Sequence, residues 1–493
     1  MTTRRSLILS APLAAAGSAF ALRHAPPPLA HGALPSEAQV QWSRLEFYNF
    51  LHFTVNTFTD REWGNGDENP ALFNPTAFDA DAICEVLKSA GSQGVILTCK
   101  HHDGFCLWPT ETTDHCILFS PYRNGRGDIV KELSEAARRQ GLKFGVYLSP
   151  WDRNQATYGT PQYIGIYREQ LRELLTGYGE LFEIWHDGAN GGAGYYGGAR
   201  ETRTIDKARY YDWANTWNLE RQLQPGAVLF SDVGPGVRWV GNEKGIAGET
   251  CWHTFTPVSQ SGGLAVPGDV IEKESNRGTR NGQYWMPAEC DVSIRPGWFW
   301  HAAENTKVKT PRDLFDLYCV SAGRGASLLL NVPPDRRGLI HEADAAALKG
   351  FGKLMTAAFA TNLAKSAKVK ASNVRGKDPS YAANKLTDGN HETYWATDDG
   401  VTNPEVTLDF MRPVSFNLVR VRENIRLGQR VDAFALDYWD HGRWVHCTGA
   451  TSIGSCRILR MAKRITTKRV RLRITDAAAC PALSEFAIFD TPV

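Results

Sequence analysis

Lys100-His101-His102-Asp103-Gly104 puts a cation, two imidazoles and a carboxyl in consecutive positions, at the end of the apolar run Val95-Ile96-Leu97-Thr98-Cys99. Groups of these types can move protons, hold a metal ion or grip a polar ligand. The bland alternative is that the histidines satisfy loop backbone groups. As metal ligands His101, His102 and Asp103 are poorly arranged. Neighbouring side chains of an extended chain point to opposite sides, and no His-x-His or His-Glu-x-x-His spacing adds a partner. A second chemistry uses paired carboxyls, one attacking or activating water and the other giving a proton, as glycoside cleavage requires. Asp187, in Trp185-His186-Asp187-Gly188, is the candidate for the first role, with a turn-forming Asp-Gly as the plain alternative. Glu243, in Arg238-Trp239-Val240-Gly241-Asn242-Glu243, and Glu289, in Pro287-Ala288-Glu289-Cys290-Asp291, compete for the second role. Each is otherwise an ordinary ion-pairing loop carboxylate.

These residues need strands that end at one place. Phe47–Leu51, Val95–Cys99, Lys143–Leu148, Leu181–Ile184, Ala227–Phe230 and Ser327–Leu330 are short apolar runs, each closing on a polar tip. Helical patterns at Asp79–Ala90, Asp128–Gln140, Gln162–Gly177 and Asp206–Gln224 separate them, with Asp79 and Asp128 as caps. Repeated strand, loop and helix predict an α/β fold with a parallel sheet. No Gly-x-Gly-x-x-Gly turn opens any helix, and the polar tips come from many strands. A (β/α)8-type barrel over 39–348 is therefore favoured over an open sheet. Trp63, Trp108, Trp151, Trp185, Trp239, Trp298 and Trp300, out of 15 tryptophans, cluster at tips and loops. Indole faces there suit the C–H patches of a sugar, although some must be ordinary core.

A net charge of +2 over 493 residues, with no basic stripe, argues against nucleic acid and membrane partners. Arg4-Arg5 before apolar Leu7–Leu22, with Ala19-Phe20-Ala21, reads as an export signal over 1–21 that resembles a twin-arginine leader. A periplasmic or extracellular destination follows. Residues 22–38, rich in Pro and Ala between His24 and Ser36, read as a flexible leader. The ten cysteines show no Cys-x-x-Cys pair and read mostly as buried thiols, with Cys447 and Cys456 the best-placed bridge.

Tyr48-Asn49-Phe50-Leu51-His52-Phe53, Glu62-Trp63, Lys100-His101-His102-Asp103-Gly104-Phe105, Tyr147-Leu148-Ser149-Pro150-Trp151-Asp152, Trp185-His186-Asp187-Gly188 and Leu329-Leu330-Asn331-Val332-Pro333-Pro334 are similar to motifs of α-L-fucosidases of glycoside hydrolase family 29. The likeness runs from about Trp42 to Ile340. Gly188-Ala189-Asn190-Gly191, Gly234–Gly245 and Pro287–His301 resemble the branch acting on α-1,3- and α-1,4-linked fucose. The resemblance implies an exo-acting retaining double displacement on fucosylated glycans, with Asp187 as nucleophile, Glu243 as acid/base and no metal or organic cofactor. It implies fucose contacts from His52, Glu62, Trp63, His101, His102, Tyr147 and Trp185, and leaving-sugar contacts from Arg238, Trp239, Glu289, Asp291 and Trp298. One departure stands out: where the family often has Phe before the nucleophile, this chain has His186. A catalytically inactive, lectin-like protein on the same scaffold is the alternative reading.

Beyond a helical, Ala-rich stretch at Glu342–Leu363, with the connector at 349–367, the pattern changes to strands. Glu405–Phe410, Ser415–Glu423, Ala433–Trp439, Arg469–Ile474 and Glu485–Phe489 predict a β-sandwich over 368–493. Ala382–Asn390 and Thr393–Asp398 resemble discoidin-like modules, which implies either a carbohydrate-binding module or a buttress for the barrel. Every candidate catalytic motif precedes Glu342, so residues 39–363 alone are expected to act on a small substrate.

Overall fold

The computed structural model describes residues 24–188, 194–206, 209–263, 265–269 and 271–492, so the expected export signal lies outside the described residues. Eight parallel strands close a barrel: β1 (Phe47–Leu51), β2 (Gly94–Lys100), β3 (Lys143–Leu148), β4 (Glu183–Trp185), β5 (Val228–Ser231), β6 (Val237–Trp239), β7 (Ala288–Ser293) and β8 (Ser327–Asn331). Outside them lie α1 (Glu37–Leu45), α2 (Ala80–Ser89), α3 (Ile129–Gln140), α4 (Pro161–Gly177), α5 (Trp213–Leu223), α6 (Pro311–Val320) and α7 (Glu342–Phe359). The caps fall where expected, with Asp79 accepting from the Ala82 amide at 3.0 Å and Asp128 from the Lys131 amide at 2.9 Å.

Side chains alternate across each strand. On β1, Phe47 and Leu51 face the helices, whereas Tyr48 and Phe50 join Ile96, Tyr147, Trp185, Phe230 and Leu329 in the barrel interior, closed at one end by Trp42 of α1. The same alternation carries Glu183, Trp185 and Asp187 up the inside of β4, and Glu289 and Asp291 up the inside of β7.

β6 and β7 were not among the expected strands; β7 runs through Glu289, Cys290 and Asp291. The repeat of strand and helix also breaks here. β5 and β6 pair in parallel (Phe230 with Val237) across a connection too short for a crossover helix, and the long β6–β7 connection contains, among the described residues, the short helix Glu272–Arg277 and a small antiparallel pair, Thr254–Phe255 with Tyr284–Trp285. A parallel strand needs cover on its outer side. The C-terminal module packs against this connection: Arg457 donates to the Glu249 carbonyl at 2.7 Å, His253 Nε2 meets Ser455 Oγ at 3.0 Å, and Arg280 pairs with Asp432 at 2.7 Å.

That module contains β9 (Lys368–Ala371), β10 (Trp395–Ala396), β11 (Glu405–Glu423), β12 (Val431–Asp440), β13 (Arg443–Thr451), β14 (Arg457–Ala477) and β15 (Ala482–Phe489). They run antiparallel in the order β10-β15-β11-β14-β12-β13, with β9 on β11. The two expected segments at 405–410 and 415–423 are one strand whose register slips between Asp409 and Val414. Val406, Leu408, Phe416, Val419, Phe434, Leu472 and Phe486 form its core. Trp395 is fully buried and donates to the Asn373 carbonyl at 2.9 Å, a core role. Cys447 and Cys456 are free thiols: Cys447 sits on β13 and donates to the Leu436 carbonyl at 3.1 Å, whereas Cys456 is buried at the barrel interface.

The leader is tied down. The Ala25 amide donates to Asp378 at 2.7 Å, Arg375 to the Pro26 carbonyl at 2.5 Å, Arg430 to the Leu29 carbonyl, and the His31 amide to the Leu427 carbonyl at 3.0 Å. The expectation of flexibility fails because composition does not show which buried arginines await these carbonyls. Between barrel and module, buried Arg422 bridges Glu46 and Glu485, with Tyr318 donating to Glu46 at 2.5 Å. The guanidinium beside Glu46 overrides burial and holds its carboxyl below the usual range.

These contacts fasten the module to the barrel, as a buttress would be fastened. Arg422→Ala is expected to cost about 3–5 kcal/mol, the cost of breaking a buried ion pair from one side. In guanidinium titrations the intact protein should unfold in one transition and the variant in two; two transitions in the intact protein would show that the buttress is not coupled.

Candidate active site

Above Trp185 the carboxyl ends of the strands open into a cavity of about 270 Å³, just under the usual range of about 300–1,000 Å³ for drug-sized ligands. Its size suits one sugar ring. Phe50, Trp185 and Phe230 line its lower wall; His52, His101, His102, Asp187, Asp232, Glu243 and Asp291 bring polar groups; Trp63, Trp239 and Trp298 bring indoles. Trp108, expected near the tips, is buried core with its Nε1 on Glu173 at 2.7 Å.

Asp187 accepts from the Tyr147 hydroxyl at 2.8 Å, and His102 Nε2 stands 3.6 Å away. The tight approach of β5 is why glycine follows: a Cβ on Gly188 would lie 2.7 Å from Asp232 Oδ2. Asp232, which received no role from the sequence, accepts the Gly268 amide at 2.8 Å. Its signal was present in the Ser231-Asp232 strand tip but no motif separated it from a turn residue.

His101 and His102 both face the cavity, contrary to the extended-chain expectation, because the chain turns there; their ring centroids are 4.1 Å apart. Gly104 makes that turn at φ +83°, where a Cβ would meet Asp152 Oδ1 at 2.4 Å. Nitrogens of both histidines and an Asp187 oxygen lie within 4.8 Å of one another, the one set of possible metal ligands among the described residues. Asp187 in that set is already hydrogen-bonded to Tyr147, and no fourth His, Cys, Asp or Glu joins it.

The histidine tautomers follow from their partners. The Ser149 hydroxyl donates to the Trp151 carbonyl at 2.7 Å, so it accepts from His102 Nδ1–H, also at 2.7 Å, and Nε2 is left as an acceptor facing the cavity. His52 Nδ1 donates to Asn331 Oδ1 at 2.9 Å, with the same consequence. The Asn331 amide is oriented by donating to the Trp298 carbonyl at 2.7 Å. Burial lowers both histidines to about 4, so both are neutral at physiological pH.

Glu243 sits at the rim, accepting from Trp298 Nε1 at 3.3 Å. Lost hydration against the cavity wall, then the Asp187 charge, raise its pKa although one side meets solvent. Asp291 accepts from Trp239 Nε1 at 2.8 Å, and burial pushes its pKa well up, with Glu243 adding to the shift.

Three expected ligands point elsewhere. Arg238 is fully buried and donates to the carbonyls of Ser275 and Trp252 at 2.9 and 3.0 Å. Glu62 accepts the amides of Trp298 and Phe299 at 2.8 and 3.2 Å and meets His301 at 2.6 Å, so it holds the Trp298 loop. Glu289 is fully buried beneath Trp185 and does not line the cavity, which removes it as a rival to Glu243 and as a leaving-sugar contact. His186 points away from the cavity, between Tyr167 at 2.8 Å and Glu220 at 2.8 Å, so the departure from Phe alters the outer packing of β4.

A closed parallel barrel whose strand ends surround a sugar-sized cavity with paired carboxyls and indoles defines a glycoside hydrolase architecture. The α-L-fucosidase family model matches residues 33–358 and the F5/8 type C domain model residues 368–486. The chain is 42% identical to Alpha-L-fucosidase 1 of Arabidopsis thaliana over 92% of this chain and 87% of that one. Its structure is similar to a putative α-L-fucosidase from Bacteroides thetaiotaomicron (TM-score 0.85, 37% identity, 94% and 99% of the two chains). It is also similar to a Ruminococcus gnavus family 29 fucosidase crystallised with fucose (TM-score 0.83, 32% identity, 95% and 97%). The chain belongs to the α-L-fucosidases of glycoside hydrolase family 29, with an F5/8 type C module at its carboxyl end.

Ser149→Ala frees the His102 tautomer without touching the cavity wall. KM for an aryl fucoside should rise about fivefold to tenfold, the worth of one hydrogen bond of about 1 kcal/mol, with kcat nearly constant. An unchanged KM would refute the tautomer assignment.

Proposed function

We propose that this α-L-fucosidase is an exo-acting, retaining enzyme that removes α-1,3- and α-1,4-linked fucose from glycans. One observation supports the mechanism above others: Asp187 and Glu243 share a cavity in which Tyr147 stabilises the Asp187 carboxylate while the surroundings favour a proton on Glu243. Asp187 attacks the anomeric carbon as Glu243 gives its proton to the departing oxygen; Glu243 then takes a proton from water, which cleaves the fucosyl ester. Neutral His52 and His102 accept fucose hydroxyls through Nε2, and the cavity admits one sugar, in keeping with terminal attack. Support for the linkage comes from the likeness at Gly234–Gly245 and Pro287–His301; Trp239, Asp291 and Trp298 from these segments face the leaving group's side. Fucosylated glycans are the proposed partners. The Arg4-Arg5 segment supports export, and proteolytic loss of residues 1–21 in a periplasmic fraction would test it.

Asp187→Gly should lose at least about a thousandfold in kcat, because the covalent route is gone, and azide should restore turnover as a fucosyl azide of inverted configuration. Glu243→Ala should lose far more on natural glycans than on substrates with activated leaving groups. In the wild type kcat/KM should fall at alkaline pH as Glu243 loses its proton, and Glu243→Ala should lack that limb. Fucose should be released from α-1,3- and α-1,4-linked oligosaccharides in preference to α-1,2-linked ones. Near-native turnover by Asp187→Gly would reject the mechanism, and an α-1,2 preference would reject the linkage.

A further inference from the structure

Glu183 and Glu289 lie inside the barrel, each fully buried, with no ion pair to either among the described residues. Their surroundings divide them. Glu289 accepts from Trp185 Nε1 at 2.7 Å through one oxygen and from the Tyr48 hydroxyl through the other, so it is supplied with donors as a carboxylate is. Glu183 accepts from Trp42 Nε1 at 2.9 Å through Oε2, whereas Oε1 is buried and has no donor. The two carboxyls meet each other. Two adjacent charges with no cation cannot both persist in such a place.

We propose that Glu183 is held as a neutral carboxylic acid whose Oε1–H donates to the Glu289 carboxylate, and that this proton-locked pair positions Trp185 in the floor of the sugar cavity. The proton removes the like-charge contact and satisfies the orphan oxygen in one step. It leaves Glu289 charged, which strengthens its bond from Trp185 Nε1. Trp185 is otherwise held by ring contacts, stacked on Phe230 at 4.1 Å and Tyr147 at 5.2 Å and edge-to-face with Phe50 at 4.9 Å between centroids. Glu183 and Glu289 are positioning residues, since neither touches the cavity. The groups facing the pair are Tyr48 from β1, Trp42 from α1, Trp185 on β4 and Ser327 on β8; Asp291 lies further up β7, and Arg238 on β6 is turned to backbone carbonyls. Burial raises the pKa of both carboxyls, Glu183's the further. The role of Trp185 rests on the reading of the cavity as a fucose site; the protonation of Glu183 does not.

The sign follows. A carboxyl whose folded pKa lies above its unfolded value of about 4.3 stabilises the fold fully below that pH, and the contribution is lost as pH rises toward the folded pKa. Glu183→Gln, an isostere of the neutral acid, has no proton to lose. Its unfolding equilibrium constant, relative to wild type, should fall as pH rises above about 5, by at most tenfold per pH unit. The infrared difference spectrum, wild type minus Glu183→Gln at pH 7, should show a carboxylic-acid C=O band. Glu289→Leu, which strands Trp185 Nε1, should weaken binding of free L-fucose about tenfold, while Glu183→Gln should change it less than twofold. If Glu289→Leu does not fold, the two Glu183→Gln measurements decide. Parallel pH–stability curves, or no acid band, would overturn the protonation; unchanged fucose binding by a folded Glu289→Leu would overturn the positioning of Trp185.

Discussion

Side chains on a closed parallel barrel alternate between interior and exterior, and nearly every feature of this molecule depends on that two-residue period. It turns β4 into a ladder of Glu183, Trp185 and Asp187, and β7 into a ladder of Glu289 and Asp291. The upper rung of each ladder faces the cavity, and the lower rung lies beneath the Trp185 floor. A shift of one residue would put these carboxyls against the helices and apolar groups into the cavity. Asp187 therefore owes its place to the register of β4 with β3 and β5, through Trp185 against Tyr147 and Phe230.

Enclosure then decides what each polar group does. The same burial that keeps His52 and His102 neutral also favours a proton on Glu243, while Asp187 accepts from the Tyr147 hydroxyl. Neutral acceptors, one held proton and one negative charge are the complement that a double displacement on a sugar needs. The strands beneath this cavity are covered on their outer side by more than barrel helices. Where crossover helices are missing between β5 and β7, the β6–β7 connection and the F5/8 type C module supply the cover, fastened by Arg422, Arg457 and the leader at Ala25–His31.

Much of this was legible in the sequence where hydropathy and function agree. β1 to β5 and β8 are apolar runs with polar tips, and the Asp79 and Asp128 caps mark their helices. β6 and β7 were not legible. In Ala288-Glu289-Cys290-Asp291-Val292-Ser293 the charged residues face inward and the apolar ones outward, which reverses the usual signal and reads as a loop. The same inversion hid the true place of Glu289, since a buried carboxyl without a cation is specified by Tyr48 and Trp185, both remote in sequence. His52, His101, His102, Asp187 and Glu243, grouped from the sequence because motif and chemistry coincided, line one cavity. Asp232 was missed because its tip carries no motif, and Glu62 was placed on substrate because its true partners, the Trp298 and Phe299 amides, meet it only in the fold.

In the proposed mechanism Asp187 and Glu243 carry out two successive displacements at one anomeric carbon. Proton NMR of the reaction mixture in its first minutes, before mutarotation, tests it directly. Newly released L-fucose should appear first as the α-anomer, with the β-anomer growing in later. Initial release of β-L-fucose would mean a single displacement by water and would contradict the assignment of Asp187 as nucleophile.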